Sequence, residues 1–208
     1  MSTPIALTLT LSPDNPSNTT IFDPDNKALY TVHTTHDKET VTHVKNAEDE
    51  ELASLEWHDV LPDKVTVGHK APTSLRDWLH TSLASAKKRN GCDASFKDDS
   101  GRKYKWRGNS PGHSLELFAE DDGYQEPIAR SIRSLRTRNG GLQRPMQFLL
   151  TERAVQIRNV VVISFLFLEK GRRVNEKTSQ NMANVMAAPP LSAVTGYDYN
   201  VRDGGVGH

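Results

Sequence analysis

The stretch that decides the fold is Glu152-Arg-Ala-Val-Gln-Ile-Arg-Asn-Val-Val-Val-Ile-Ser-Phe-Leu-Phe-Leu-Glu-Lys170. It contains ten consecutive uncharged residues, Asn159 to Leu168. On propensity alone, the β-branched cluster Val160 to Ile163 favours a long, fully buried strand. The length of the stretch favours a helix over Val155–Leu168, and this is the structure that we predict. A helix that is apolar on nearly every side must be surrounded by protein or lipid.

The residues that flank this stretch also favour the helix. Thr151 is an acceptable N-cap, and Gly171 is typical of the residue just past a helix C-terminus. Ten helical residues span about 15 Å, which is half of the roughly 30 Å hydrocarbon core of a bilayer. A transmembrane span is therefore not expected, and the helix should lie inside the protein.

Upstream of the helix, short apolar segments separated by turn sequences predict a series of strands. Ile5, Leu7, Leu9 and Leu11 alternate with small or polar residues, the period-two pattern of a half-buried strand. Strands at intervals of roughly ten residues, without long helices between them, indicate an antiparallel sandwich or barrel. The other predicted strands are Thr19–Phe22, Leu29–His33, Thr40–Val44, Leu52–Trp57, Lys64–Val67, Ala94–Phe96, Lys103–Arg107, Ser114–Phe118, Pro127–Ile132 and Met146–Leu150, and Ser74–Leu79 is predicted to be a short helix.

The length of 208 residues fits one large domain, or one domain with a tail. The apolar periodicity persists through the predicted helix and disappears from Asn175 onward. We therefore predict one domain over residues 1–174 and a disordered or loosely attached tail over residues 175–208.

Composition limits the classes of function. Lys+Arg 26 and Asp+Glu 26 give no net charge, which argues against a protein that coats nucleic acid. The single cysteine, Cys92, excludes an intramolecular disulfide framework and a Cys-rich zinc module, and no base for a nucleophile is identifiable near it in sequence. The N-terminus lacks the basic start and apolar run of a signal peptide, so we expect an intracellular, cytoplasmic protein.

Several short segments, in this order, carry a resemblance to known families: Asn18-Thr-Thr-Ile-Phe-Asp23, Leu29-Tyr-Thr-Val32, Leu55-Glu-Trp57, Tyr104-Lys-Trp-Arg107, Leu115-Glu-Leu117, Ile128-Ala129 and Val160-Val-Val-Ile-Ser-Phe-Leu-Phe-Leu-Glu-Lys170. Together they resemble the tubby C-terminal domain superfamily, which includes LURP-one-related and phospholipid-scramblase proteins. The chain is more similar still to an uncharacterised family of fungal proteins, found mainly in mushroom-forming fungi. The resemblance implies a mainly β fold, a closed antiparallel tubby-like barrel of about twelve strands around the C-terminal helix. It implies no reaction.

One cluster of cations stands out as a candidate binding site. Five arginines lie within fifteen residues that contain no acid: Arg130, Arg133, Arg136, Arg138 and Arg144. Tubby-type domains bind inositol phospholipid headgroups through basic residues near strand ends, so the resemblance implies an anionic phosphate ligand for this cluster. The alternative is that these long side chains keep an edge strand or hairpin soluble.

Two other groups of residues favour a structural interpretation. His33, His36 and His43 would meet across a hairpin between the third and fourth strands, but exposed histidines explain them better than a zinc site. Tyr104 and Trp106 share one strand face, opposite three cations, which is typical of a barrel wall rather than of a surface on which bases stack.

The sequence contains no pattern of catalytic residues or cofactor-binding loop, so an enzyme with a cofactor or metal is not expected. We predict a non-enzymatic intracellular binding or scaffold domain, with an anionic phospholipid or a protein as partner and with peripheral attachment to a membrane. Two alternatives stay open. One is a scramblase-like membrane-associated protein, and the other is an enzyme whose site is not visible in the sequence.

Overall fold

The computed structural model describes residues 4–58, 60–81, 94–137 and 139–187. These residues form twelve strands of one antiparallel sheet, a separate two-stranded hairpin, three α-helices and a short 3-10 helix at Glu120–Asp122. The strands are β1 (Ile5–Ser12), β2 (Thr19–Phe22), β3 (Ala28–His36), β4 (Thr40–Asn46), β5 (Glu51–Trp57), β6 (Lys64–Val67), β7 (Thr73–Ser74), β8 (Ala94–Lys97), β9 (Lys103–Arg107), β10 (Glu116–Ala119), β11 (Pro127–Ile132), β12 (Leu135–Arg136), β13 (Leu142–Arg144) and β14 (Met146–Thr151). The helices are α1 (Leu75–Trp78), α2 (Glu152–Gln156) and α3 (Arg158–Ala187).

The strand order of the large sheet is β7-β6-β5-β4-β3-β2-β1-β14-β11-β10-β9-β8. Neighbouring strands are mostly joined by short connections, as the turn sequences predict. Strand β14 is the exception. It lies between β1 and β11 near the middle of the sheet, and it directly precedes α2 and α3. Strand β1 faces β14 with Leu9 opposite Phe148, and both side chains are fully buried.

The predicted closed barrel is wrong, because the twelve-stranded sheet is open. In the described part of the chain, β7 pairs only with β6, and β8 pairs only with β9. Among the described residues, one backbone hydrogen bond of 2.7 Å connects these edge regions, from Ser95 N in β8 to Leu79 O at the end of α1. The physical reason lies in β7, which has two residues before Ser74 caps α1 by accepting a hydrogen bond from Asp77 N. A strand that turns into a helix after two residues cannot supply the ladder that closes a barrel.

The predicted apolar helix is confirmed from Arg158 to Leu168, and α3 fills the concave side of the sheet. Its predicted start at Val155 is wrong, because Val155 belongs to α2 and Ile157 separates the two helices. Every residue from Val161 to Glu169 is buried. Trp106 in β9 donates a hydrogen bond to Ser164 Oγ at 3.1 Å, while Lys170 contacts Trp57 in β5. In a flat sheet β5 and β9 would lie eight strand spacings, or about 40 Å, apart. Because a helix is only about 10 Å wide, the open sheet must curve around α3.

The core therefore combines both faces of the helix with the inner face of the sheet. Phe165 stacks on Phe148 of β14, with ring centroids 4.2 Å apart. Phe167 packs edge to face against Trp78, which follows β7, at 6.3 Å. The predicted inward faces of Tyr104 and Trp106 are confirmed, since both are buried and the flanking Lys103 is exposed.

The expectation that Gly171 ends the helix is wrong. Helix α3 continues to Ala187, and two ion pairs connect side chains on either side of the glycine. Glu169 Oε1 lies 2.6 Å from Arg172 Nη2 and 2.7 Å from Arg173 Nε. Such contacts at spacings of three and four residues stabilise a helix across a position of low propensity.

These pairs belong to a larger set of charged side chains that we call the buried ion cluster: Asp14, Arg133, Glu169, Arg172, Arg173 and Glu176. Glu169 and Arg172 are 1% and 3% exposed, and Arg173 also pairs with Asp14 in the β1–β2 loop. The cluster holds three cations and three anions, so its charges balance. It ties α3 to the β1–β2 loop and to the segment after β11.

The proposed boundary at residue 174 stays a prediction. Beyond it, α3 runs on as an exposed helix, with Met182 and Met186 57% and 81% exposed. Residues 188–208 lie outside the described residues, as do Cys92 and Arg138.

Candidate functional site

The structure gives different surroundings to the described members of the five arginines that the sequence places together. Arg130 is exposed in β11, where Glu116 and Leu149 lie opposite it on the neighbouring strands. Arg133 donates to both carboxylate oxygens of Glu176, with the shortest contact at 3.0 Å, so α3 partly neutralises it. Arg138 lies outside the described residues.

Arg136 and Arg144 lie in the separate two-stranded sheet, which we call the arginine hairpin (residues 133–144). Arg144 is exposed and donates to Arg133 O at 3.2 Å. In the same hairpin Leu135 and Leu142 are 46% and 58% exposed. The register places Leu135 opposite Arg144 and Arg136 opposite Leu142, so apolar and basic positions alternate across the hairpin.

The histidines meet only in part. His33 and His43 are cross-strand partners in β3 and β4, with ring centroids 4.9 Å apart. Burial lowers the pKa of His33, and the neighbouring charge of His43 lowers it further. His36 instead hydrogen-bonds Thr40, and the described residues contain no group of three that could hold a metal ion.

A cleft of about 950 Å³ opens where the sheet fails to close. The turn after β6 forms one wall, the turn between β8 and β9 forms the other, and the junction of α2 and α3 forms the back. Its apolar lining comes from the sheet, from α1 and from the helices: Leu52, Val67, Trp78, Val155, Ile157, Val160 and Ile163. The cleft is thus a direct consequence of the open edge.

Two ion pairs engage four of the charged side chains of the walls, and Lys97 also lines the cleft. Lys70 Nζ lies 2.6 Å from Asp99 Oδ1 and so connects the two walls across the mouth. Arg102 Nε lies 2.7 Å from Asp98 Oδ2. Burial opposes ionisation of Asp98, but hydrogen bonds from Arg102 and the Tyr104 hydroxyl outweigh it and lower the pKa of this carboxyl.

The back of the cleft holds a cation that is oriented from one side. The Arg158 Nε donates to the Tyr30 hydroxyl at 2.8 Å, and this hydroxyl donates to Asn159 Oδ1 at 2.7 Å. Tyr30 is 1% exposed, and burial raises its pKa although Arg158 opposes the shift. The phenol therefore stays protonated and holds the guanidinium in one orientation.

A fourth location with unusual chemistry is Lys170, the residue directly after the buried part of α3. Its Nζ lies 3.1 Å from the centroid of the Trp57 ring. Burial lowers the pKa of Lys170 to about 8, and the charge of Asp63 opposes this shift only in part. The charged form of Lys170 is therefore disfavoured in the folded protein.

This arrangement predicts a rise in stability at alkaline pH. Below pH 8 the lysine is protonated in both the folded and unfolded states, and the cost of burying its charge is present in full. Between about pH 8 and 10.5 the folded state releases the proton first, so the free energy of unfolding should increase. Chemical denaturation of the wild type and of Lys170→Met over this range provides the measurement. Parallel pH profiles for the two proteins would contradict the expectation.

The residues of the cleft could not be predicted from the sequence, because they come from segments that are far apart in the chain. Lys70, Arg102 and Arg158 belong to three different parts of the chain, and no local spacing connects them. For the hairpin, Asn139-Gly-Gly141 does signal a turn, but the exposure of its leucines becomes visible only when the surrounding strands are placed.

Comparisons with known proteins place the chain in a family. Residues 14–174 match the family of unknown function DUF6593, and the chain belongs to this family. The match covers most of the predicted domain. None of the curated proteins matches the chain. A solved structure of a protein from Arabidopsis thaliana is similar to it, with 16% sequence identity and a TM-score of 0.37 over 78% of this chain and 91% of that protein.

Proposed function

We propose that this member of the DUF6593 family is a non-enzymatic binding domain that docks on anionic lipid surfaces through the arginine hairpin. The observation that carries the proposal is the exposure of Leu135 and Leu142 beside arginines on a hairpin that stands apart from the large sheet. Apolar side chains beside cations suit a surface that offers hydrocarbon beneath anionic headgroups.

The leucines provide the apolar part of the contact. Two-stranded hairpins are marginally stable on their own, and the exposed halves of Leu135 and Leu142 contribute nothing to this hairpin's packing in water. Transfer of each leucine into the acyl boundary would contribute on the order of 1 kcal/mol, since about half of the side chain is already covered.

The cations provide the electrostatic part. Residues 133–144 contain four arginines and no acid, and each cation near an anionic membrane contributes roughly 1 kcal/mol. Arg133 is paired with Glu176 and instead anchors the hairpin to α3. Because the whole protein has no net charge, attraction should be local and should fade as salt screens it.

The resemblance to the tubby superfamily agrees with this proposal, because tubby-type domains bind inositol phospholipids. Under it, the protein is a fungal cytoplasmic protein that attaches peripherally to membranes. Among the described residues, no helix combines the length and the hydropathy needed to cross a bilayer.

Co-sedimentation with liposomes tests the proposal. The wild type should sediment with phosphatidylserine or phosphoinositide vesicles at low salt, more weakly at physiological salt, and not with phosphatidylcholine alone. Leu135→Asn with Leu142→Asn should weaken binding roughly tenfold or more. Arg136→Ser with Arg144→Ser should weaken it by a similar factor and flatten the salt dependence.

A matched control uses exposed residues far from the hairpin. Leu61 is 64% exposed in the β5–β6 loop and Arg76 is exposed in α1. The Leu61→Asn and Arg76→Ser variants should sediment like the wild type. If the hairpin variants also do so, or if the wild type ignores anionic vesicles at low salt, the hairpin does not dock on membranes.

A further inference from the structure

The cleft at the open edge is a second site, and its argument does not depend on the arginine hairpin. Its volume of about 950 Å³ is in the upper part of the range of small-molecule pockets, roughly 300–1,000 Å³. Its apolar lining would suit an aliphatic chain or a ring system. One end of such a ligand would meet Arg158, which lies at the junction of α2 and α3 beside Ile157 and Val160.

The cationic side chains that line the cleft differ in whether they are already paired with a carboxylate. Lys70 is already paired with Asp99, and Arg102 with Asp98. Arg158 makes one hydrogen bond, through Nε, and within the described part of the chain neither of its two terminal nitrogens has a partner. Its Cζ lies 5.6 Å from the Tyr30 ring centroid, so the ring and the hydroxyl of one buried residue both restrain the guanidinium.

This orientation selects the chemistry of the ligand. A guanidinium whose Nε is engaged can still offer Nη1 and Nη2 as a parallel pair of donors. Carboxylate and phosphate oxygens accept such a pair in bidentate geometry. The site is also prepared in advance, because the Tyr30 hydroxyl is itself fixed by Asn159.

We propose that the cleft binds a small amphipathic anion, with an apolar body on Val67, Trp78 and Val160 and a terminal carboxylate or phosphate on Arg158. A charged head and an apolar tail are both required, because about half of the lining of the cleft is apolar and Arg158 lies beside that apolar part.

Displacement of the fluorescent probe 1-anilinonaphthalene-8-sulfonate from the full chain tests this. Dodecanoate and dodecyl phosphate, used below their micelle concentrations, should displace the probe, and their relative affinities distinguish the carboxylate from the phosphate. Dodecanol has the same tail without the charge and should bind at least tenfold more weakly. Equal affinity for dodecanol and both anions would overturn the proposal.

Substitutions of residues that line or adjoin the cleft test whether these ligands bind there. Arg158→Gln should weaken both anions about tenfold and leave dodecanol unchanged, whereas Arg76→Gln should change neither. Tyr30→Phe keeps the ring and removes the hydroxyl, so it should weaken the anions to a smaller extent. Wild-type affinity of Arg158→Gln for both anions would refute the assigned role of Arg158.

A third variant fills the cleft. Val160→Trp places a large side chain in the apolar part of the cleft and should abolish binding of dodecanoate, dodecyl phosphate and dodecanol. A thermal melt shows whether this variant is folded. The hairpin variants with Leu135 and Leu142 changed should bind dodecanoate like the wild type, which separates this site from membrane docking. Unaltered binding by a folded Val160→Trp protein would show that the ligands bind elsewhere.

Discussion

Val162→Asp is expected to abolish cooperative unfolding of the protein, with a cost of more than about 4 kcal/mol. Val162 is fully buried in α3, within the run of buried residues from Val161 to Glu169. An aspartate there would place a charge among apolar side chains such as Phe165. Domains of this size are stable by only about 5–15 kcal/mol, so most of the population should unfold. Circular dichroism during a thermal melt provides the measurement.

The same helix offers a matched control. Val174 lies twelve residues further along α3 and is 54% exposed. Val174→Asp makes the same chemical change in a solvated position and should change the free energy of unfolding by less than about 0.5 kcal/mol. A soluble, cooperatively melting Val162→Asp protein would contradict the burial of the helix inside the sheet.

The second large effect is expected in the buried ion cluster. Glu169→Gln removes a carboxylate that accepts bidentate hydrogen bonds from Arg172 at 2.6 and 2.8 Å and a third from Arg173. Arg172, 3% exposed, would then stay charged with only Glu176 as an ionic partner. Breaking a buried pair from one side costs about 3–5 kcal/mol, which urea denaturation can measure.

A double variant separates the charge effect from packing. Glu169→Met with Arg172→Met removes both buried charges and should recover at least half of the loss seen in Glu169→Gln. As a control for ordinary surface pairs, Asp49→Asn breaks the exposed Lys45–Asp49 pair and should leave stability nearly unchanged. If the double variant instead loses as much unfolding free energy as the two single substitutions added together, Glu169 and Arg172 do not act as a pair.

Local patterns accounted for most of the secondary structure. Period-two alternation located β1, β9 and β14, and the apolar run located the helix, because a strand or helix needs only its own residues to present an apolar face. The same patterns missed β7, β12 and β13, which have two, two and three residues. Strands this short have no period of their own and form only where a partner strand is supplied.

Closure of the sheet was not predictable from these patterns. The alternation in β6 and β8 is the same whether or not a neighbouring strand completes a ladder. Closure depends on the pairing of β7 with β8, and that is prevented by the Ser74 cap of α1. The resemblance to the tubby superfamily implies the closed form. The order of strands along the sequence is the same for an open and a closed sheet, so it could not correct that expectation.

The sequence by itself determined that the protein is mainly β, that the apolar run from Asn159 to Leu168 lies in a helix and that the core of this helix is buried. These properties follow from neighbouring residues and from the cost of exposing apolar surface. Only the tertiary structure decided that the sheet stays open, that Arg133 forms an ion pair with Glu176 and that Arg158 lines a cleft. Each of these depends on side chains that are far apart in the chain, and their proximity is set by how the sheet curves around α3. Whether a segment is buried follows from the residues of that segment, whereas the partner of a charged side chain depends on which segments the fold brings together.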